Sequence, residues 1–200
     1  MTSSANILEF WFGNLKDEDD FPVEKAGMWF RDGKKFDSYI KEHFEAACIG
    51  AMAGAYDDWT MDAKSLLALI ILLDQFPRNI YRNTPEAYAS DQKAEELCRM
   101  GIHKGYDQEL MPVERVFMYM PLMHTESIEG QRYAVELFKR LADNATPAIE
   151  LPLRNNLDFA IQHAKIIEEF GRFPYRNTIF KRESTAAEKK FLESEGASWA

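Results

Sequence analysis

Apolar residues recur every three or four positions along almost the whole chain, and no segment alternates between apolar and polar residues as a half-buried strand would. This spacing predicts an all-α fold of antiparallel helix pairs, a degenerate helical repeat, in a single domain over residues 1–200. Because residues 66–73 are apolar on all sides, the helix expected over 61–75 should be the most buried element. Pro77 is expected to end that helix, since proline lacks the N–H that an α-helix requires.

The composition excludes several classes of protein. A net charge of −9 argues against a broad nucleic-acid surface, which would need a basic face. The longest apolar run, 66–73, is far shorter than the roughly 20 residues of a membrane span, and the N-terminus lacks the features of a signal peptide. Cys48 and Cys98 form neither a paired metal motif nor a disulfide framework, which favours a cytoplasmic location.

Common catalytic and cofactor motifs are missing from the sequence. It contains no dinucleotide or phosphate loop, no Gly-x-Ser-x-Gly turn, and neither a His-Glu-x-x-His nor a Glu-x-x-His pair. His124 and Glu126 form a close pair of a histidine and a carboxylate, which is a weak metal signal on its own. We therefore expect no metal and no cofactor.

One phrase occurs twice. The segment Phe76-Pro77-Arg78-Asn79-Ile80-Tyr81-Arg82-Asn83-Thr84 returns in a shorter form as Phe173-Pro174-Tyr175-Arg176-Asn177-Thr178. Each copy follows an apolar helical segment, so each brings arginine and asparagine to the end of a buried helix. These groups could form an internal network of ion pairs and helix caps, since buried charges are normally paired. They could equally form an anion pocket, because arginine binds carboxylate and phosphate through two parallel hydrogen bonds, with four arginines around one cavity: Arg78, Arg82, Arg172 and Arg176.

A second polar group surrounds Pro121, which falls inside a predicted helix. Glu114 and Arg115 precede this proline, and His124 and Glu126 follow it. A histidine beside an acid can act as a general acid or base. The alternative is that the acids are counter-ions for the arginines, as in structural ion-pair networks. His163 lies on an apolar helix face and is interpreted as a core histidine.

Several of these phrases together resemble one bacterial family, labelled domain of unknown function 924. The resemblance runs from Ile7 to Leu192 and is carried by four motifs: Ile7-Leu8-x-Phe10-Trp11-Phe12-Gly13, Leu73-Asp74-Gln75-Phe76-Pro77-Arg78-Asn79, Glu114-Arg115 with Pro121-Leu122-x-His124, and Phe170-Gly171-Arg172-Phe173-Pro174. The resemblance implies an all-helical, tetratricopeptide-like fold and an unassigned activity.

The polar positions of the family motifs can be carried over residue by residue. They fall on Asp74, Gln75, Arg78, Asn79, Arg82, Asp91, Glu114, Arg115, His124, Glu126, Gln131, His163, Arg172, Arg176 and Asn177. The chain departs from the family pattern at Asn83, where glycine is common, at Thr125, where serine is common, and at Tyr175, where histidine is common. Tyrosine cannot replace an acid/base histidine near neutral pH without a large pKa shift, so Tyr175 argues against a catalytic histidine at that position.

These observations predict a helical protein with an arginine-rich central pocket for an anionic small molecule or an acidic peptide. Two alternatives remain. One is a metal-independent enzyme, such as a hydrolase, that uses His124 with Glu126 or Glu114. The other is a purely structural scaffold, in which every arginine has an internal partner.

Overall fold

The computed structural model describes residues 2–194. This range contains helices and turns and no strand, which confirms the all-α prediction. The α-helices are α1 (Ser4–Phe12), α2 (Val23–Phe30), α3 (Asp37–Met52), α4 (Ala63–Ile70), α5 (Phe76–Ile80), α6 (Asp91–His103), α7 (Pro112–His124), α8 (Ile128–Asp143), α9 (Glu150–Phe170) and α10 (Ala186–Ser194).

Helix α4 lies at the centre of the core. All eight residues from Leu66 to Leu73 are inaccessible to solvent, and α1, α6 and α7 pack against the helix. The predicted start of this element at Met61 is wrong. The helix begins at Ala63 because Asp62 caps it, its carboxylate accepting the Ser65 N–H at 2.9 Å.

The expected end of this helix before Pro77 is also wrong. Residues Ile71–Gln75 form a π-helical turn, in which the Phe76 N–H donates to the Ile71 carbonyl, and α5 follows directly. Pro77 then lies in the first turn of α5, where a missing N–H is tolerated. The buried Ser90 hydroxyl donates to the Leu73 carbonyl at 2.6 Å. It replaces the N–H donor that Pro77, four residues after Leu73, cannot supply.

This contact makes Ser90 a testable support for the irregular helix. We expect Ser90→Ala to lower the free energy of unfolding by about 1–3 kcal/mol, because it leaves a buried carbonyl without a donor. The control is Ser194→Ala, whose hydroxyl also donates to a backbone carbonyl, that of Lys190, but at an exposed position. Urea unfolding of both variants measures the difference, and equal stabilities would contradict the assigned role.

The second copy of the repeated phrase follows α9 in an analogous way. Helix α9 ends at Phe170, and the following Gly171 adopts a left-handed conformation with φ 69°. Pro174–Arg176 then forms a short 3-10 turn, and Phe173 is fully buried. This turn carries Arg176 back toward the first copy.

Candidate functional site

The two copies of the phrase meet at one carboxylate. Arg78 donates from its two terminal nitrogens to the two oxygens of Asp91, at 2.8 and 3.0 Å. Arg176 Nη1 lies 3.5 Å from Asp91 Oδ2. Asp91 is the first residue of α6, so the start of this helix joins the ends of two others. The near-identity of the copies correctly predicts that they lie close together.

A buried aspartate orients His124. Asp74, in the π-helical turn, is fully buried, and its two oxygens lie 2.8 and 3.0 Å from His124 Nδ1. Asp74 also accepts a hydrogen bond from the Gln75 amide and lies 3.6 Å from Arg78 Nη2. The acidic partner of His124 is therefore 50 positions away in the sequence, and it was expected to be Glu126 or Glu114.

The protonation states of this pair follow from their surroundings. Burial raises the pKa of Asp74, but the adjacent His124 and Arg78 outweigh burial and hold it below its ordinary value. Burial lowers the pKa of His124 more than Asp74 raises it. An ionised Asp74 can only accept, so Nδ1 of a neutral His124 carries the proton and Nε2 is left with a free lone pair.

Gln131 holds the chain on both sides of His124. Its side-chain amide is buried and donates to the carbonyls of Met123 and Thr125, each at 2.7 Å. Both carbonyls belong to the end of α7, where helical hydrogen bonds are no longer available. Gln131 thus fixes the direction in which the imidazole leaves the helix.

Arg176 has fewer hydrogen-bond partners than Arg78, its counterpart in the first copy of the phrase. It is only 5% exposed, and its guanidinium lies between the rings of Tyr88 and Phe173, 4.6 and 4.5 Å from the centroids. Its Nε is buried and has no hydrogen-bond partner within residues 2–194. The Asp91 carboxylate beside it already accepts two hydrogen bonds from Arg78, so Arg176 has no bidentate partner of its own.

His163 lies beside His124 in the same cluster. The two rings are 6.4 Å apart, and His163 Nδ1 lies 2.8 Å from the Phe159 carbonyl. Burial lowers the pKa of His163 to about 3, so this ring is neutral near neutral pH. Burial also raises the pKa of Tyr175 to about 12, which keeps its phenol protonated. The expectation that Tyr175 is not an acid/base group near neutral pH agrees with this.

Two adjoining cavities meet at this cluster. The smaller, of ≈ 270 Å³, is lined by Arg78, Arg82, Asn83, Ala87, Tyr88, His124, His163, Tyr175 and Arg176. The larger, of ≈ 400 Å³, is lined by Tyr88, Ala89, Asp91, Gln92, Glu95, His124, Thr125, Glu126, Arg176 and Phe180. Tyr88, His124 and Arg176 border both. A small molecule bound in either cavity could therefore reach both the histidine and the arginine.

Several of the predicted site residues lie away from this cluster. Glu114 lies in the first turn of α7, about ten residues or roughly 15 Å along the helix from His124. Its carboxylate binds Lys64 at 2.5 Å. Arg115 donates to the Leu110 and Gln108 carbonyls and lines a separate cavity. Arg172 binds the buried Glu188 at 2.6 Å.

Glu126 lines the larger cavity, but its oxygens are already occupied. They accept from the Arg182 guanidinium, at 2.6 and 2.9 Å, and from the Phe173 N–H at 2.9 Å. Burial raises the pKa of Glu126, yet these donors bring it below its ordinary value, so it remains a carboxylate. Asn177 extends this network by accepting from Arg182 and donating to Ser184.

The rest of the first copy connects α5 to α3. Asn79 and Arg82 both donate to the Asp37 carboxylate at the start of α3. Residue-level reasoning missed Asp37, Tyr88 and Arg182, whose positions in the sequence carry no motif. Asp91 was indicated by the family resemblance alone.

The part of the chain that the structure describes contains neither a candidate metal site nor a candidate membrane span. Within it, no group of three or more His, Cys, Asp or Glu side chains is placed to hold a metal ion. None of the described helices combines the length and the apolar character needed to span a membrane.

Comparison with known proteins identifies the family and no activity. A solved structure, that of the protein of unknown function ATU0120 from Agrobacterium tumefaciens, matches with a TM-score of 0.79 and 36% sequence identity, over 95% of this chain and 96% of that chain. No curated protein matches the chain. A family model described as bacterial protein of unknown function (DUF924) matches residues 7–196. The resemblance seen in the motifs is thereby confirmed, and the chain belongs to the DUF924 family.

Proposed function

We propose that the protein binds a small anionic molecule in the cavities that border Arg176. The observation that carries the proposal is the incomplete pairing of this buried guanidinium. Its Nε has no partner in the described range, and the Asp91 carboxylate lies 3.5 Å from its Nη1. A carboxylate or phosphate group in the cavity would give Arg176 the directed, charge-assisted hydrogen bonds that Asp91 gives to Arg78.

The charges around the site nearly cancel, which favours recognition of an anion by directed hydrogen bonds. Arg78 and Arg176 carry two positive charges, and Asp74 and Asp91 carry two negative charges at close range. The cluster therefore provides little net positive field, and an anion must be held by specific hydrogen bonds. Volumes of ≈ 270 and ≈ 400 Å³ suit a small molecule better than a folded partner. An acidic peptide could place only its end there.

Two further features belong to the same proposal. The unpaired, buried thiols of Cys48 and Cys98 support a reducing cytoplasmic location. The succession of helices packed on their neighbours, such as α8 on both α7 and α9, supports a tetratricopeptide-like arrangement. The net charge of −9 supports the absence of a nucleic-acid partner.

Thermal melts with inorganic phosphate, sulfate and succinate test the anion pocket. A probe at about 100 times its Kd stabilises a folded protein by about 2.7 kcal/mol, and each kcal/mol raises Tm by about 2–4 °C in a chain of this size. We expect at least one probe to raise the Tm of the wild-type protein. Arg176→Ala should remain folded and lose this shift, because the side chain has few internal hydrogen bonds to lose.

Arg115→Ala is the matched control, since Arg115 also lines a cavity but a separate one. It should keep the probe-dependent shift of the wild-type protein. The proposal fails if no probe stabilises the wild-type protein, or if Arg176→Ala keeps the shift. A loss of several kcal/mol in Arg176→Ala without any probe would instead support the scaffold alternative.

A further inference from the structure

We infer that His124 is a general base that activates water to hydrolyse a small anionic ester, with Asp74 as its positioning residue. The inference rests on the proposed function, because Arg176 has to hold the anionic group of the substrate. Its own support is the arrangement of one imidazole between a buried carboxylate and two cavities.

The orientation of the His124 ring follows from its contact with Asp74 on one side and the two cavities on the other. Its Nδ1 edge is turned to Asp74, which is fully buried, with both oxygens at 2.8 and 3.0 Å. The side chain of His124 is 13% exposed and borders both cavities. Because Asp74 engages Nδ1, Nε2 is the ring nitrogen that remains for a molecule in the cavities. A base in this position can take a proton from a molecule bound in either cavity.

The neighbours of the pair keep it in this geometry. Gln75 donates to Asp74, and Arg78 lies 3.6 Å from it, so the carboxylate is held from two sides. Gln131 holds the backbone on both sides of His124. A carboxylate that fixes the tautomer and orientation of a histidine is the arrangement used to prepare a base for proton transfer.

Water is the nucleophile that the cavity lining supports. Among the described residues that border the two cavities, Thr125 carries the one aliphatic hydroxyl, and no cysteine is present. Thr125 directly follows His124 in the chain, and no hydrogen bond joins its hydroxyl to the imidazole. A serine or cysteine acyl intermediate therefore has no side chain to form on, and hydrolysis would proceed by direct attack.

The reaction balances without an external reactant other than water. As the water oxygen bonds to the ester carbonyl carbon, one water proton moves to His124 Nε2, and the carbonyl electron pair moves to its oxygen. Arg78 borders the smaller cavity, and its positive charge favours the negative charge that develops on this oxygen, while Arg176 holds the anionic group of the substrate. The tetrahedral intermediate then expels the alcohol oxygen, which takes the proton from the imidazolium. The products are a carboxylic acid, which ionises, and an alcohol.

Hydrolysis of mono-p-nitrophenyl succinate, compared with that of neutral p-nitrophenyl acetate, tests the inference. We expect the wild-type protein to prefer the anionic ester. His124→Asn should lower kcat by about a hundredfold or more, the typical contribution of a general base. Asp74→Asn should lower kcat with KM unchanged, a split that a purely structural role would not produce. Arg176→Ala should act mainly by raising KM.

Further variants and measurements make each outcome decisive. His103→Asn replaces an exposed histidine that borders neither cavity, and it should leave the rate unchanged. His124→Gln is a second replacement in case the first does not fold, which circular dichroism reports. The inference is overturned if folded His124 variants hydrolyse the ester as fast as the wild-type protein, or if the wild-type protein shows no hydrolysis above the His124 variants. Anion-dependent thermal shifts that persist without hydrolysis would overturn this inference alone, whereas the absence of both would overturn the proposed function as well.

Discussion

Arg78→Ala is expected to lower the free energy of unfolding by about 3–5 kcal/mol, because it removes the guanidinium that pairs with the buried carboxylate of Asp74 and the partly buried carboxylate of Asp91. Arg78 donates to both oxygens of Asp91 and lies 3.6 Å from Asp74, which has no access to solvent. Water cannot replace the guanidinium beside Asp74. Urea unfolding, with comparison of the extrapolated free energies, measures the loss.

Arg82→Ala is the matched control for this prediction. Arg82 comes from the same copy of the phrase and also binds a carboxylate, that of Asp37, but its side chain is 37% exposed. We expect a cost of about 0–1 kcal/mol, as for other exposed ion pairs. If Arg78→Ala costs no more than Arg82→Ala, the scaffold role of Arg78 is wrong and the residue is free to serve a ligand.

Leu69→Ala and Leu72→Ala should each cost about 2–5 kcal/mol, which combines the lost burial with the cavity left behind. Both side chains lie at the centre of the core and are inaccessible to solvent. Leu151→Ala, at a position that is 71% exposed, is the control and should change stability little. A cost below about half a kcal/mol at both core positions would be incompatible with a central α4.

The sequence predicts the helical fold and the proximity of the two copies of the repeated phrase, because both signals are carried by short segments. Helical spacing needs only a few turns of chain, and the repeated phrase names the residues that meet. The partner of His124 could not be predicted in this way. Asp74 lies 50 positions from His124, and the π-helical turn that lets the helix pass Pro77 leaves no obvious mark on the sequence.

The two arginines of the repeated phrase show a second limit of sequence reasoning. Arg78 and Arg176 follow the same Phe-Pro pair closely, yet the structure gives them different surroundings. Arg78 takes both oxygens of the shared Asp91, while Arg176 is left between two aromatic rings. This asymmetry depends on the side from which each arginine approaches the shared carboxylate. Equivalent residues in the two copies thus predict that they lie close together, but they do not predict that they have the same contacts.

The number of residues in the π-helical turn determines how the polar side chains that follow it are oriented. A π turn is equivalent to an α-helix that has gained one residue, since its hydrogen bond spans five positions where an α-helix spans four. Each residue rotates an α-helix by about 100°, so losing one residue from Ile71–Gln75 would swing Arg78 and Asn79 away from their carboxylates. An insertion or deletion here would therefore separate the buried half of the helix from its polar half.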